Sequence, residues 1–194
     1  MYIPCLAALV SATIIVTAPT TIRGLWGCTT TDRHQRWALK TRGDDGHRAQ
    51  AVSIAEMLTW PVPRGHSVSE TAPIQPHEAE QITITGRVRL VKQSPDDCDL
   101  HLEMSEHPTT GPRIIAEIPP TDMATQQSAV GIFHLSNGHR SAREPGVSVR
   151  VTGFAFLDLS HQCAAHPKAG CQHGGAAVAT LWEIHPVFAI TEVR

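Results

Sequence analysis

From Gln81 onward, apolar and polar residues alternate in five separate runs. In Gln81–Val91, Ile82, Ile84, Val88 and Leu90 share one parity, with Gly86 midway. In Asp99–Met104, Leu100, Leu102 and Met104 take one side and Asp99, His101 and Glu103 the other. Arg113–Ile118 opposes Ile114, Ala116 and Ile118 to Ile115 and Glu117. Val147–Leu157 and Thr180–Ile190 repeat the pattern. A period of two residues predicts strands. A glycine inside a long strand predicts a bulge or bend, here at Gly86. Thr121–Leu135 reads as a helix: Thr121 or Asp122 can cap it, and Ser136-Asn137-Gly138 closes it.

Three strands, one helix and two strands make the chain mainly β. The order is that of a five-stranded OB-like barrel, with one helix between strands 3 and 4. Residues 80–194 would form this domain, and 28–79 an irregular N-terminal arm. Within the arm, Ser53 and Glu56 are spaced as a capping box for a short helix. Trp37, Leu58 and Trp60 are its expected anchors. Residues 1–27 read as a signal peptide: Ile3–Val16 is apolar except for Ser11 and Thr13, with no charge before Arg23. A buried N-terminal element is the alternative. Leu25-Trp26-Gly27-Cys28 is similar to a bacterial lipoprotein cleavage box, which makes Cys28 a candidate for lipidation. The compartment expected is therefore periplasmic, cell-envelope or extracellular. Membrane contact would come only through the leader or a lipid.

Composition narrows the function classes. A net charge of −2 over 194 residues gives no basic footprint for nucleic acid. Arg87, Arg89, Arg113 and Arg150 are scattered and read as solvated strand faces. The nucleophile elbow, the Walker loop and the dinucleotide fingerprint are all absent. Twelve histidines make the surface field sensitive to pH below about 6.5. Four cysteines lie beyond the leader, which allows three disulfide pairings. Cys163 and Cys171 close a short loop and are the favoured pair; lipidation of Cys28 would leave Cys98 single and buried.

Two constellations could carry chemistry. His101, Glu117, Asp158 and His185 lie in or at the end of predicted strands, with His101 and Glu117 on adjacent ones. Two histidines and carboxylates suit a divalent metal, acid/base chemistry, or simply a polar outer strand face. Asp96, Asp97 and Asp99 cluster too, but a turn accounts for them. The second constellation is a loop with His161, Cys163, His166, Cys171 and His173. It offers soft ligands for zinc or copper, although no zinc-finger spacing. No cofactor motif is present; zinc or another divalent metal is the ion these residues could hold.

Arg36-Trp37-x-x-Lys40-Thr41, Asp99-x-His101-Leu102 and Ile115-x-Glu117-Ile118-Pro119 form one motif set with Val151-Thr152-Gly153-Phe154-x-Phe156-x-Asp158 and Glu183-Ile184-His185-Pro186-Val187. This set resembles an uncharacterised group of bacterial exported proteins. The resemblance implies an OB-like barrel and export. The chain departs from that group after Asp158, where a Cys-bounded insertion replaces a compact loop. The function expected is an exported OB-like module that binds a ligand or partner, whose identity the sequence does not name. The alternatives are a metal-dependent hydrolase or nuclease using His101, Glu117 and His185, and a metal-binding protein acting through the loop at 161–173.

Overall fold

A computed structural model describes residues 18–32, 34, 36–62, 74–136, 141–143, 146–158 and 178–193. The architecture is mainly β. A hairpin of β1 (Thr21–Arg23) and β2 (Thr29–Thr31) opens it, followed by α1 (Trp37–Lys40), β3 (Gln50–Ala51) and α2 (Ile54–Met57). The larger elements then come in order: β4 (Gln81–Gln93), β5 (Leu100–Ser105), β6 (Arg113–Ile118), α3 (Met123–Ile132), β7 (Ser141–Arg143), β8 (Ser148–Leu157) and β9 (Val178–Glu192). The five alternating runs and the long helix thus appear where their periodicity predicts them. Asp122 caps α3 by accepting from the Thr125 amide, and Ser53 caps α2 by accepting from Glu56.

β3 to β9 form one seven-stranded sheet. Its longest strand, β4, divides its pairing: Gln81–Arg87 runs antiparallel to β8, and Arg87–Gln93 runs antiparallel to β5. β5 pairs antiparallel with β6, β6 parallel with β9, and β9 antiparallel with β8. The path of pairings therefore returns to β4. Leu100, Leu102, Met104, Ile114, Ala116, Ile118, Val151, Leu157 and Ile184 gather into one buried cluster with Ile82, Ile84 and Val88.

The irregularity in β4 lies elsewhere than at Gly86. The register shifts between Val88 and Leu90, and Val91 rather than Leu90 then takes the core position. An extra residue in one strand exchanges its two faces, so parity beyond the bulge inverts. Gly86 has a different reason to be glycine. A Cβ there would lie 2.8 Å from Ile54 Cδ1, because α2 packs directly on the strand. The arm buries Val52, Ile54, Met57 and Trp60 in the core, and Trp26 and Leu58 pack against it partly buried. Trp60 stacks on His77 at 4.0 Å and meets Trp182 edge-on at 5.4 Å.

The cysteines depart from expectation. Cys28 is bonded to Cys98, with an S–S distance of 2.09 Å and Cα atoms 5.8 Å apart. A sulfur held in a disulfide has no valence left for a thioether, so the lipidation of Cys28 is overturned, and Cys98 is not single. The boundary placed after Gly27 also falls inside the β1–β2 hairpin, and Trp26 packs against the core cluster. Residues 1–17 and the loop bearing Cys163 and Cys171 lie outside the described residues. No helix among the described residues is long and apolar enough to cross a membrane.

Cross-linking across a sequence separation of 70 removes much denatured-state freedom. A Cys28→Ser/Cys98→Ser variant should therefore lose about 4 kcal/mol of stability in urea denaturation. An unchanged midpoint would show that the bond does not form.

Candidate metal centre

Register builds the site. His101 of β5 lies directly opposite Glu117 of β6. In the parallel β6–β9 pair, Ile115 lies beside Glu183 and Ala116 beside Ile184, so the next step brings Glu117 to His185. On the other side of β9, Phe156 of β8 lies opposite Glu183. Residues two apart in a strand share a face. Asp99 accordingly joins His101 and Glu103, and Glu183 joins His185.

This face is buried, which corrects its reading as a solvated outer surface. Asp99, Glu183 and His185 are at most 1% exposed, and His101, Glu103 and Glu117 are buried as well. The N-terminal arm covers it. α1 brings Lys40 Nζ to 5.4 Å from the centre of the Phe156 ring and 3.9 Å from Asp158 Oδ2. Arg36, the N-cap of α1, lies over the same ring at 4.9 Å. Its guanidinium binds both oxygens of Glu78 at 2.7 Å, fully buried, and also donates to the Leu157 carbonyl. Glu78 in turn accepts from the amides of Leu157 and Gln75.

Glu117 stands between two histidines. Its Oε1 is 2.8 Å from His101 Nδ1, and its Oε2 is 3.0 Å from His185 Nδ1. His185 Nδ1 also reaches Glu183 Oε1 at 3.2 Å. On the other edge of the ring, His185 Nε2 is 3.1 Å from Asp99 Oδ2. That contact lacks hydrogen-bond alignment: among the described residues, neither His185 Nε2 nor Asp99 Oδ1 has a hydrogen-bond partner. One ligand atom from each of Asp99, Glu117 and His185 lies within 4.8 Å of the other two.

Burial and pairing pull the titrations apart. Burial pushes the Asp99 carboxyl up to about 6 against the pull of His185. Burial, then the charges of Glu117 and Asp158, raise Glu183 to about 7. Burial works against Glu117 too, but hydrogen bonds from His101 and His185 win and hold it well below its ordinary value. Burial opposes charge on His101, yet Glu103 and Glu117 raise it to about 9. His185 is likewise held protonated by Asp99, Glu117 and Glu183 despite its burial. Bonding to His101 draws Glu103 down to about 2, helped by Arg113 at 2.7 Å.

Of the residues singled out in the sequence, the structure brings His101, Glu117 and His185 onto one row. The convergent set, however, takes Asp99 in place of His101. Asp158 is buried at the rim, facing Lys40. Asp99 was assigned to the turn and Glu183 was not singled out; their i,i+2 spacing to His101 and His185 is the signal that places them. Two arginines also leave the solvated faces. Arg89 is buried and donates to the Thr109 carbonyl, and Arg113 is bound to Glu103. The loop histidines His161, His166 and His173, with Cys163 and Cys171, lie outside the described residues. Comparison with models of protein families, with curated proteins and with solved structures finds no match.

The shifts fix the sign of the pH dependence in metal-free protein. A carboxyl raised in the folded state costs stability as pH climbs through its range, as for Asp99 and Glu183. A raised histidine contributes fully below its unfolded value and loses that contribution as pH rises through about 9, as for His101. Both act in one direction, so stability should fall from pH 5 to pH 9. His101→Gln should flatten the part of that decline above about pH 6.5. Urea midpoints across this range measure it, and a midpoint that rises with pH would contradict it.

Proposed function

We propose that this chain is an OB-like domain that holds a divalent metal ion at Asp99, Glu117 and His185. The observation that carries the reading is two buried atoms that have no hydrogen-bond partner among the described residues, His185 Nε2 and Asp99 Oδ1, beside Glu117. Two ligands on a metal at about 2.0–2.2 Å sit roughly 3 Å apart. The 3.1 Å approach of His185 Nε2 to Asp99 Oδ2, without hydrogen-bond alignment, suits that spacing. Glu183 on Nδ1 would then act as the outer carboxylate that orients a ligating imidazole, and Glu117 would turn from its present contact with the same Nδ1 to reach the ion. One imidazole and two carboxylates favour zinc or manganese over thiol-seeking copper.

The OB-like barrel is supported by the pairing path from β4 through β5, β6, β9 and β8 back to β4, by the parallel β6–β9 pair, and by α3 between β6 and β8, the third and fourth of these strands in chain order. Burial of the centre under the arm favours a binding role over hydrolysis, because His185 and Asp99 are at most 1% exposed. A cleft of about 600 Å³ lies next to the centre in sequence, lined by Thr41, Arg42, Pro119, Pro186 and Phe188 among others. Its volume suits a small ligand.

Export, the resemblance to an exported bacterial group, and removal of a leader upstream of Thr21 belong to the same reading. The Cys28–Cys98 bond supports an oxidising compartment, and the β1–β2 pairing favours the earlier cleavage point. Intact mass of the protein secreted from a bacterial host measures the cleavage point; a mature chain starting at Cys28 would refute it.

Elemental analysis of the purified domain tests the metal. It should carry one zinc or manganese per chain, and His185→Gln and Asp99→Asn should lose it. Saturation at 100 times Kd should stabilise the domain by about 2.7 kcal/mol. No bound metal and no stabilisation by either ion would sink the proposal.

A further inference from the structure

The centre already faces a cation of its own. Lys40 is about one-eighth exposed, at 13%, and its ammonium lies 3.9 Å from Asp158 Oδ2. Beyond the opposing effect of burial, the carboxylates that hold its charge are Glu183, Glu117, Asp158 and Asp99. Two of these four are the proposed metal ligands, and a third orients His185. Phe156 separates Lys40 from the histidine: its ring meets His185 at 5.6 Å and Lys40 at 5.4 Å.

The two ends of α1 are held very differently. At the N-terminal end, Arg36 makes its paired, buried bonds to Glu78. At the C-terminal end, Lys40 contributes an ion pair to Asp158 at 3.9 Å, longer than the contacts of Arg36. Its flexible four-carbon stem can swing a point charge outward at little cost in geometry. The segment after Lys40 walls the cleft: Thr41, Arg42, Gly43 and Asp44 line it, and Arg42 lies 3.8 Å over the Phe154 ring.

We propose that Lys40 is a tethered cation that competes with the metal for this carboxylate cluster, so that metal entry frees the C-terminal end of α1 and reshapes the cleft beside it. The inference rests on the metal reading of the centre. Its physical basis is repulsion: Lys40 and an ion held at His185 would both lie against the Phe156 ring, and two positive charges in so weakly screened an interior oppose each other. The arm itself stays attached, because Arg36–Glu78 and Cys28–Cys98 do not involve Lys40.

Isothermal titration of zinc and of manganese into the wild type, Lys40→Met, Lys40→Gln, Lys40→Arg and His185→Gln tests it. Both uncharged variants should bind roughly tenfold tighter than the wild type, and Lys40→Arg should stay near it. Near-UV circular dichroism checks that each variant is folded, and either uncharged variant suffices. Hydrogen exchange gives an independent readout in the wild type. The Lys40 and Thr41 amides, bonded to the Arg36 and Trp37 carbonyls, should exchange faster when metal is added. Equal affinities in the wild type and the uncharged variants would overturn the role of Lys40 and leave the metal centre standing. If neither the wild type nor an uncharged variant binds metal better than His185→Gln, the centre itself is refuted.

Discussion

A buried carboxylate without a partner costs several kcal/mol, and this requirement organises the protein. β5, β6 and β9 turn Asp99, Glu103, Glu117 and Glu183 toward one face, and that face is sealed from water. The cations near it among the described residues answer that burden. His185 and His101 are held protonated, Arg113 takes Glu103, and the arm supplies Lys40 opposite Asp158. Compensation is incomplete, since Asp99 and Glu183 still have raised pKa values. A metal ion would answer the charge that remains.

The arm is therefore part of the site. It is fixed at two depths. The disulfide anchors Cys28 to the residue immediately before Asp99, and Cys98 itself adopts a left-handed conformation, with φ of 64°. Non-glycine residues rarely adopt that conformation, so a covalent hold on Cys98 also fixes the approach of Asp99 to the centre. Further along, Arg36–Glu78 ties α1 to the end of β8 through the Leu157 amide and carbonyl. Breaking such a pair by removing one partner leaves a stranded charge. Just beyond these anchors the arm can present Lys40 to the carboxylates and Arg42 to the neighbouring cleft.

Close packing behind the centre restricts the sequence as well. β8 and β9 approach so tightly at Gly153 that a Cβ there would collide with the Pro186 carbonyl and lie 2.7 Å from Ile184 Cγ2. His185–Pro186 is a cis bond at this point. The pairing register of β8 with β9 shifts on both sides of Gly153. His185 and Phe156 are presented on one face while Ile184 stays in the core cluster.

Strand alternation determined much of this from local order alone. Leu100, Leu102 and Met104 set against Asp99, His101 and Glu103 fix which residues share a face, because a strand's side chains alternate whatever it pairs with. The same rule made His101 and Glu117 legible as neighbours. Helix caps at Ser53 and Asp122 were equally local. Other features depend on partners distant in the chain. Whether the polar face met water or an arm was decided by where residues 36–42 settle, and alternation is blind to that. The bulge after Val88 moved Val91 into the core through pairing with β5, which no residue of β4 announces. Cys28 and Cys98 lie 70 residues apart, so only the fold of the arm onto the sheet brings those two sulfurs together. The joining of Asp99 to Glu117 and His185 required three strands at once, and tertiary structure alone made those three residues a centre.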